Sequence, residues 1–258
     1  MFGALLRFFR ERAGMTQDGL GAYVKYSKSQ VAMVERGERP PKGQFVEIAD
    51  DVLGAQGALL AAGESLRVSH LPSWFAEYAE EEAKAVALHV YQNHVVPGQL
   101  QTEAYARAVF DCHCPPLEDE QIEARVATRL GRQELLHRKP APIVSFVLEE
   151  ITLTRPIGGP ATLREQLHHL LGIARLRNVE IQVMPPTRET HAGLNGPMTF
   201  LETAEHRQLA YVEGQSGGFF VDEQPELGHL FARYGILRAQ ALSPEDSAKL
   251  IERVAGKV

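Results

Sequence analysis

Lys28, Ser29, Ala32, Met33 and Arg36 fall on one side of a short helical pattern whose Val31 and Val34, three apart, face the other way. Polar and basic side chains on such an outer face, with Lys28 and Ser29 at its N-terminal end, are placed to meet the base edges of a duplex. The backbone amides there and at Thr16–Gln17 suit phosphate oxygens. Around them, Gln17, Lys25, Arg39 and Lys42 are candidates for positioning the DNA backbone, and Ser27, Gln30, Met33 and Arg36 complete the candidate DNA-contacting set. A helical bundle that binds protein through the same surface is the competing reading, and the placement of the polar and basic residues favours DNA.

Other chemistry-bearing clusters read more blandly. Cys112-His113-Cys114 is tighter than the paired cysteines of structural zinc, and no second pair exists, so a loop with incidental thiols is expected. His168 and His169 sit next to each other in a helical pattern and point about 100° apart, which prevents a shared ligand. Glu149 and Glu150 stand at a strand end, where neighbours face opposite ways. Arg107, Arg129, Arg132 and Arg155 could line an anion pocket, but ion pairs are the favoured reading. No nucleophile elbow, phosphate loop or dinucleotide loop occurs; Gly158-Gly159 reads as a turn and Gly214–Gly218 as a loop between strands. The expectation is therefore a non-enzyme without metal or cofactor.

The elements that must position these groups divide into two parts. The first fifty or so residues hold four helical patterns. Leu5, Leu6, Phe8, Phe9 and Ala13 face the core in the first, which stops at Gly14. Thr16 caps a second with Leu20 and Val24 buried, and Ser27 with Gln30 gives the capping-box spacing of the third. A fourth covers about Gln44–Leu53 with Phe45, Ile48, Ala49 and Leu53 inward, and a fifth about Ala55–Gly63. Two short helices with a tight connection and a polar outer face follow the helix-turn-helix plan.

Residues 64–73 lack periodicity and read as a linker, so domains are expected over 1–63 and 74–258. The second part mixes helices (through Tyr105–Val109, about 118–137, 162–176, 225–240 and 243–254) with strands near Val86–Val90, 142–148, 179–184, 198–202, 209–213 and 218–221. Thr162 with Glu165 has capping-box spacing, and the whole is expected to be an α+β domain with a mostly antiparallel sheet.

Bulk properties agree with a folded, water-exposed chain. The 258 residues are 44% hydrophobic and 23% charged, which excludes wholesale disorder. No run of about 18 apolar residues occurs, and the amphipathic N-terminus lacks a signal-peptide pattern. With only two cysteines, the cytoplasm is the expected compartment. Net charge is −6, yet residues 1–43 carry eight basic against four acidic side chains, +4, which leaves −10 for the remainder. A basic head on an acidic body implies that only the head meets a polyanion.

Two resemblances sharpen this. Thr16-Gln17-x-x-Leu20 with Ser27-Lys28-Ser29-Gln30-Val31-x-x-Val34-Glu35-x-Gly37-x-Arg39-x-Pro41 resembles the Xre-type helix-turn-helix of phage-repressor ancestry over residues 3–54. That resemblance implies a base or backbone contact for Gln17, base-reading positions for Lys28, Ser29 and Met33, and an Arg10–Glu35 ion pair between the first and third helices. Gly21 departs from the usual Ala, an expected loosening of about 0.5–1 kcal/mol.

Over about 74–256 four stretches are similar to the uncharacterised domain that follows Xre heads in actinobacterial WhiJ-like developmental regulators. They are Pro97-Gly98-x-Leu100-Gln101-Thr102-x-x-Tyr105-Ala106-Arg107-Ala108; Arg129-x-x-Arg132-Gln133; Glu150-x-x-Leu153-x-Arg155-x-x-Gly158-Gly159; and Tyr211-Val212-Glu213 with Leu237-Arg238-x-x-Ala241-Leu242-Ser243. Gln99 stands where Leu is usual. The resemblance implies a transcription factor acting on double-stranded operator DNA, with a short BldB-like partner protein and antitoxin-like pairing. A homodimer through the body is expected, since the head shows little spare apolar surface. A metabolite-sensing body and an antitoxin that masks its partner remain open as alternatives.

Overall fold

The computed structural model describes residues 2–36, 41, 44–68, 73–214 and 217–258. The chain forms two compact units, residues 1–70 and 71–258.

The first unit is all-helical: α1 (Phe2–Arg12), α2 (Gln17–Val24), α3 (Lys28–Arg36), α4 (Phe45–Val52) and α5 (Ala58–Val68). Its core gathers Phe2, Leu6, Leu20, Val24, Val31, Val34, Phe45, Ala49 and Leu59. Capping sets the boundaries. Thr16 Oγ1 accepts from the Gly19 amide at 3.0 Å, and the Ser27–Gln30 pair forms reciprocally, at 3.3 and 2.9 Å. The buried Asp50 carboxylate accepts the Gly57 and Leu59 amides at 2.8 and 2.9 Å, tying the end of α4 to the start of α5.

The apolar face of α1 differs from expectation. Phe8 is 57% exposed and Ala13 lies on the surface. The buried row is Phe2–Leu6–Arg10, spaced by four, and Phe8 falls off that row. α5 also extends to Val68, into the stretch read as a linker.

The second unit is α+β. It contains α6 (Ser73–Lys84), β1 (Ala87–Gln92), α7 (Glu103–Asp111), α8 (Asp119–Gly131), β2 (Ile143–Glu149), α9 (Ile151–Thr154), α10 (Pro160–Ile173), β3 (Val179–Met184), β4 (Met198–Glu202), β5 (Gln208–Gly214), β6 (Gly217–Val221), α11 (Glu226–Gln240) and α12 (Pro244–Ala255). The six strands form one sheet in the order β3-β2-β1-β4-β5-β6. β1 pairs β2, and β2 pairs β3, in parallel. From β1 to β4, β5 and β6 every pairing is antiparallel. The sheet is thus mixed, with a parallel half that the strand patterns did not reveal.

Alternation along the strands sends side chains into two cores. Leu88, Val90, Phe146, Ile181, Leu201 and Leu209 join the cluster that includes residues of α7, α10 and α12. Tyr91, Val147, Met184, Phe200 and Ala210 pack with Leu227, Leu230, Tyr234 and Leu237 of α11. Helices therefore cover both faces.

α10 starts two residues earlier than expected. Its N-cap is Gly159, at φ +91°, with Pro160 in the first turn, so Thr162 lies inside the helix and caps nothing.

Gly21 is dictated by packing. A Cβ at this position would stand 2.3 Å from the Tyr26 carbonyl oxygen. The chain leaves α2 through Lys25 in the left-handed conformation, and the Tyr26 amide returns to the Gly21 carbonyl at 2.9 Å. Helix propensity would reward Gly21→Ala by about 0.5–1 kcal/mol. The clash reverses the sign, and a net loss of about 1–3 kcal/mol is expected. Faster amide exchange in α2 and α3 of the full-length variant would show it; unchanged or slower exchange would contradict the geometry.

Candidate nucleic-acid interface

The outer face of α3 is built on a fixed inner one. Val31 and Val34 are buried, while Lys28, Ser29 and Arg36 are exposed and Met33 is partly so. Glu35, on the last turn, carries the links to the rest of the head. Its side chain is 4% exposed and that of Arg10 10%. Arg10 approaches it bidentately, Nε to Oε1 at 2.5 Å and Nη2 to Oε2 at 3.1 Å. Arg10 Nη1 also donates to the Met15 carbonyl at 2.8 Å, which fixes the turn before α2. Burial alone would lower the Arg10 pKa, but the Glu35 hydrogen bond outweighs it and holds the value above the ordinary one.

Gln17 donates to Glu35 Oε2 at 2.8 Å. The structure therefore places its amide group as a strut between α2 and α3, whereas the sequence reading aimed it at DNA. The candidate contact residues divide accordingly. Ser27 and Gln30 are engaged in the capping box, with Ser27 Oγ also 3.0 Å from Ser29 Oγ. Lys25 ends α2 at φ 57°, fully outside, just before α3. Among the described residues neither Lys25 nor Lys28 has an ion-pair partner. Lys28 opens α3, where the helix dipole disfavours a cation, whereas Lys25 sits at the C-terminal end of α2, where the dipole favours one. Arg39 and Lys42 lie outside the described residues.

The motif residues of the second unit fall mostly in one place. Pro97 and Gly98 lead into a 3₁₀ turn over Gly98–Leu100. Gln101 donates to the Val96 carbonyl at 2.6 Å and accepts from Arg129 Nη1 at 2.8 Å. Gln133 donates to the Gln101 carbonyl at 2.6 Å. Thr102 caps α7 by accepting the Tyr105 amide at 3.3 Å, and Tyr105 accepts the Val96 amide at 3.3 Å. Arg132 pairs with the buried Glu82, Nε to Oε2 at 2.6 Å and Nη2 to Oε1 at 3.0 Å, beneath the rings of Phe75 and Tyr78.

Gln99, standing where Leu is usual, donates to the same Glu82 carboxylate, as does the Tyr78 hydroxyl at 2.5 Å. Glu82 and Tyr78 belong to α6, which the sequence reading did not place; its Glu-rich stretch hides a buried carboxylate.

Other motif residues lie apart, Arg107 and Glu150 among them. Arg107 pairs on the surface with Glu103 and Glu123, and Glu150 follows β2, its amide bonded to the Met184 carbonyl at 3.1 Å. The expected ion pairs thus hold for Arg107 and Arg132. Arg155 lines no part of the cleft that Arg129 and Arg132 share.

The remaining candidates lie elsewhere in the unit. Cys112 and Cys114 are free and exposed, and no group of three metal-ligating side chains occurs among the described residues. His169, half-buried with Nε2 unpartnered among the described residues, is held below its ordinary pKa by burial. The Glu149 carboxylate accepts the Tyr91 hydroxyl at 2.8 Å and lies 3.2 Å from His191 Nε2. No helix among the described residues is long and apolar enough to cross a membrane.

A helix-turn-helix domain, the fold of DNA-binding regulators, thus forms the first unit, and residues 1–63 match the family described as a helix-turn-helix domain. Residues 75–253 match a domain of unknown function, DUF5753, and the chain belongs to that family. No curated protein and no solved structure matches the chain.

The Glu35 network yields a stability prediction. Glu35→Ala alone strands the Arg10 guanidinium and is expected to cost about 3–5 kcal/mol, whereas Arg10→Met with Glu35→Leu should recover most of the loss. Native-state amide exchange across α1 and α3 of the full chain measures both. Equal destabilisation by the single and double changes would rule out a stranded charge as the cause.

Proposed function

We propose that this chain is a sequence-specific transcriptional regulator of the Xre type, with WhiJ-like architecture, that works in the cytoplasm and is not an enzyme. The observation that carries the reading is Lys28. This cation stands at the first residue of α3, where the helix's own dipole disfavours it, with no ion-pair partner among the described residues. A duplex phosphate and a base acceptor would supply what the protein does not. Lys28 and Ser29 read bases, Met33 borders them, and Lys25 positions the backbone. Gln17 serves the interface by holding Glu35 rather than through its own amide.

Binding to an operator obtained by in vitro selection, followed by fluorescence anisotropy, tests this. Lys28→Ala should lose about 1–3 kcal/mol on the selected site and relax sequence preference. Lys25→Ala should weaken all sequences alike and reduce the salt slope by about 1. Unchanged operator affinity in Lys28→Ala would show that α3 is not the reading helix.

The proposed assembly is a homodimer reading two half-sites about one helical turn apart. The charge of −10 outside residues 1–43 favours the body over the head as the surface that meets protein. The head does expose Phe8, Tyr23 and Leu60, contrary to the expectation of little spare apolar surface. The body likewise exposes Ile143, Ile151, Leu194, Phe219 and Ile236, so the assignment of the dimer to the body rests on charge. A short BldB-like partner protein rests on the resemblance alone. Sedimentation of the full chain at micromolar concentration should show a dimer that persists in Phe8→Ser with Tyr23→Ser. A monomer, or a dimer lost in that variant, would overturn the assignment to the body.

A further inference from the structure

The second unit contains a cleft of about 760 Å³. It opens where the chain leaves β1, between Gln92–Gln101 on one side and the segments entering β4 and leaving β5 on the other. Such a volume matches a small-molecule site. Its walls are held by the 3₁₀ turn, the Gln101 and Gln133 bonds and the Arg132–Glu82 pair already described.

One charged group of the lining is incompletely compensated by the protein's own interactions, Arg129. Its guanidinium lies 4.1 Å over the Phe110 ring and makes one side-chain hydrogen bond, to Gln101, with no ion pair among the described residues. Burial, and then the neighbouring Arg132 cation, pull its pKa from 12.5 down to about 10, so it remains a cation at neutral pH but an undercompensated one. Arg132, by contrast, is neutralised by Glu82. Asn93 Oδ1 and the Tyr211 hydroxyl are sealed from the cleft, the hydroxyl lying against Gly218, so neither takes part in the site. Glu213 adds a carboxylate at the solvent-exposed rim.

We infer that this cleft binds a small organic anion that also carries an amine or hydroxyl donor, its carboxylate or phosphate on Arg129 and its donor on Glu213. A bare anion would satisfy Arg129 but face Glu213 unfavourably. A bare cation would meet Arg129. The two-ended arrangement selects a ligand with both functions. The site stands on the second unit alone, so its failure would leave the DNA reading of the head intact.

Two probes test it on the full chain by thermal unfolding at constant ionic strength: inorganic phosphate and O-phosphoserine, which adds an amine. At about 100 times Kd the melting temperature should rise by roughly 5–10 °C. O-phosphoserine should reach this at lower concentration than phosphate. Arg129→Met keeps the side-chain stem against Phe110 and should weaken both probes by about 10–100-fold. Glu213→Gln, at the rim, should tighten phosphate and narrow the preference for O-phosphoserine. Absence of any shift in the natural chain overturns the inference, as do equal shifts in the natural chain and Arg129→Met. Glu213→Gln that leaves both probes unchanged overturns the two-ended ligand.

Discussion

The head depends on one carboxylate. Glu35 receives Arg10 from α1 and Gln17 from α2 while belonging to α3, so a single buried group fixes the mutual orientation of three short helices. None of these helices would be stable alone at its length. A buried ion pair need not add net stability over an apolar contact, but its bidentate geometry is directional where leucines are not. The apolar cluster of Leu6, Leu20, Val31 and Val34 drives collapse of the helices, and the Glu35 network sets the angle at which α3 presents its outer face.

Local signals were legible in the sequence because their physics is local. The caps at Thr16 and Ser27 follow from side-chain type ahead of a helical pattern, Ser27 also from its three-residue offset to Gln30, and both form. Thr162 carried the same offset and failed, because Gly159 and Pro160 upstream satisfy the helix start first. Strand positions followed from apolar alternation, yet strand partners did not. Nothing within β1 reveals that Ala87 lies beside Ile143 in parallel and beside Glu202 in antiparallel. The contacts that Gln17 and Gly21 make within the fold, to Glu35 and to the Tyr26 carbonyl, are not legible locally for a related reason: each is made across the fold.

In the body the basic residues illustrate how far residue type alone goes. Arg107, Arg129 and Arg132 look alike in sequence, and the choice between ion pair and anion pocket could be framed but not resolved. The fold separates them by their surroundings. Arg107 is solvated beside two carboxylates, Arg132 is buried against Glu82, and Arg129 is buried against a ring and an amide. The deciding partner, Glu82, sits in α6 among three consecutive glutamates whose composition reads as a solvated surface. Burial of one carboxylate in such a run is a tertiary fact.

The position of β1 also shapes how the body is made on the ribosome. β1 is the strand at which the sheet changes from parallel to antiparallel, and its β4-facing edge is closed only when Met198–Glu202 has been synthesised. Until then β1 and β2 present an incomplete sheet whose apolar residues lack the cover of α11 and α12, both encoded later still. Closure of so distant a pair is slow in comparison with local helix formation. The head, encoded first and built from sequence-local contacts, completes its core while the sheet is still open. Nascent chains of this protein therefore pass through a stage with a finished helical domain and an unfinished sheet edge, the kind of intermediate on which chaperones act.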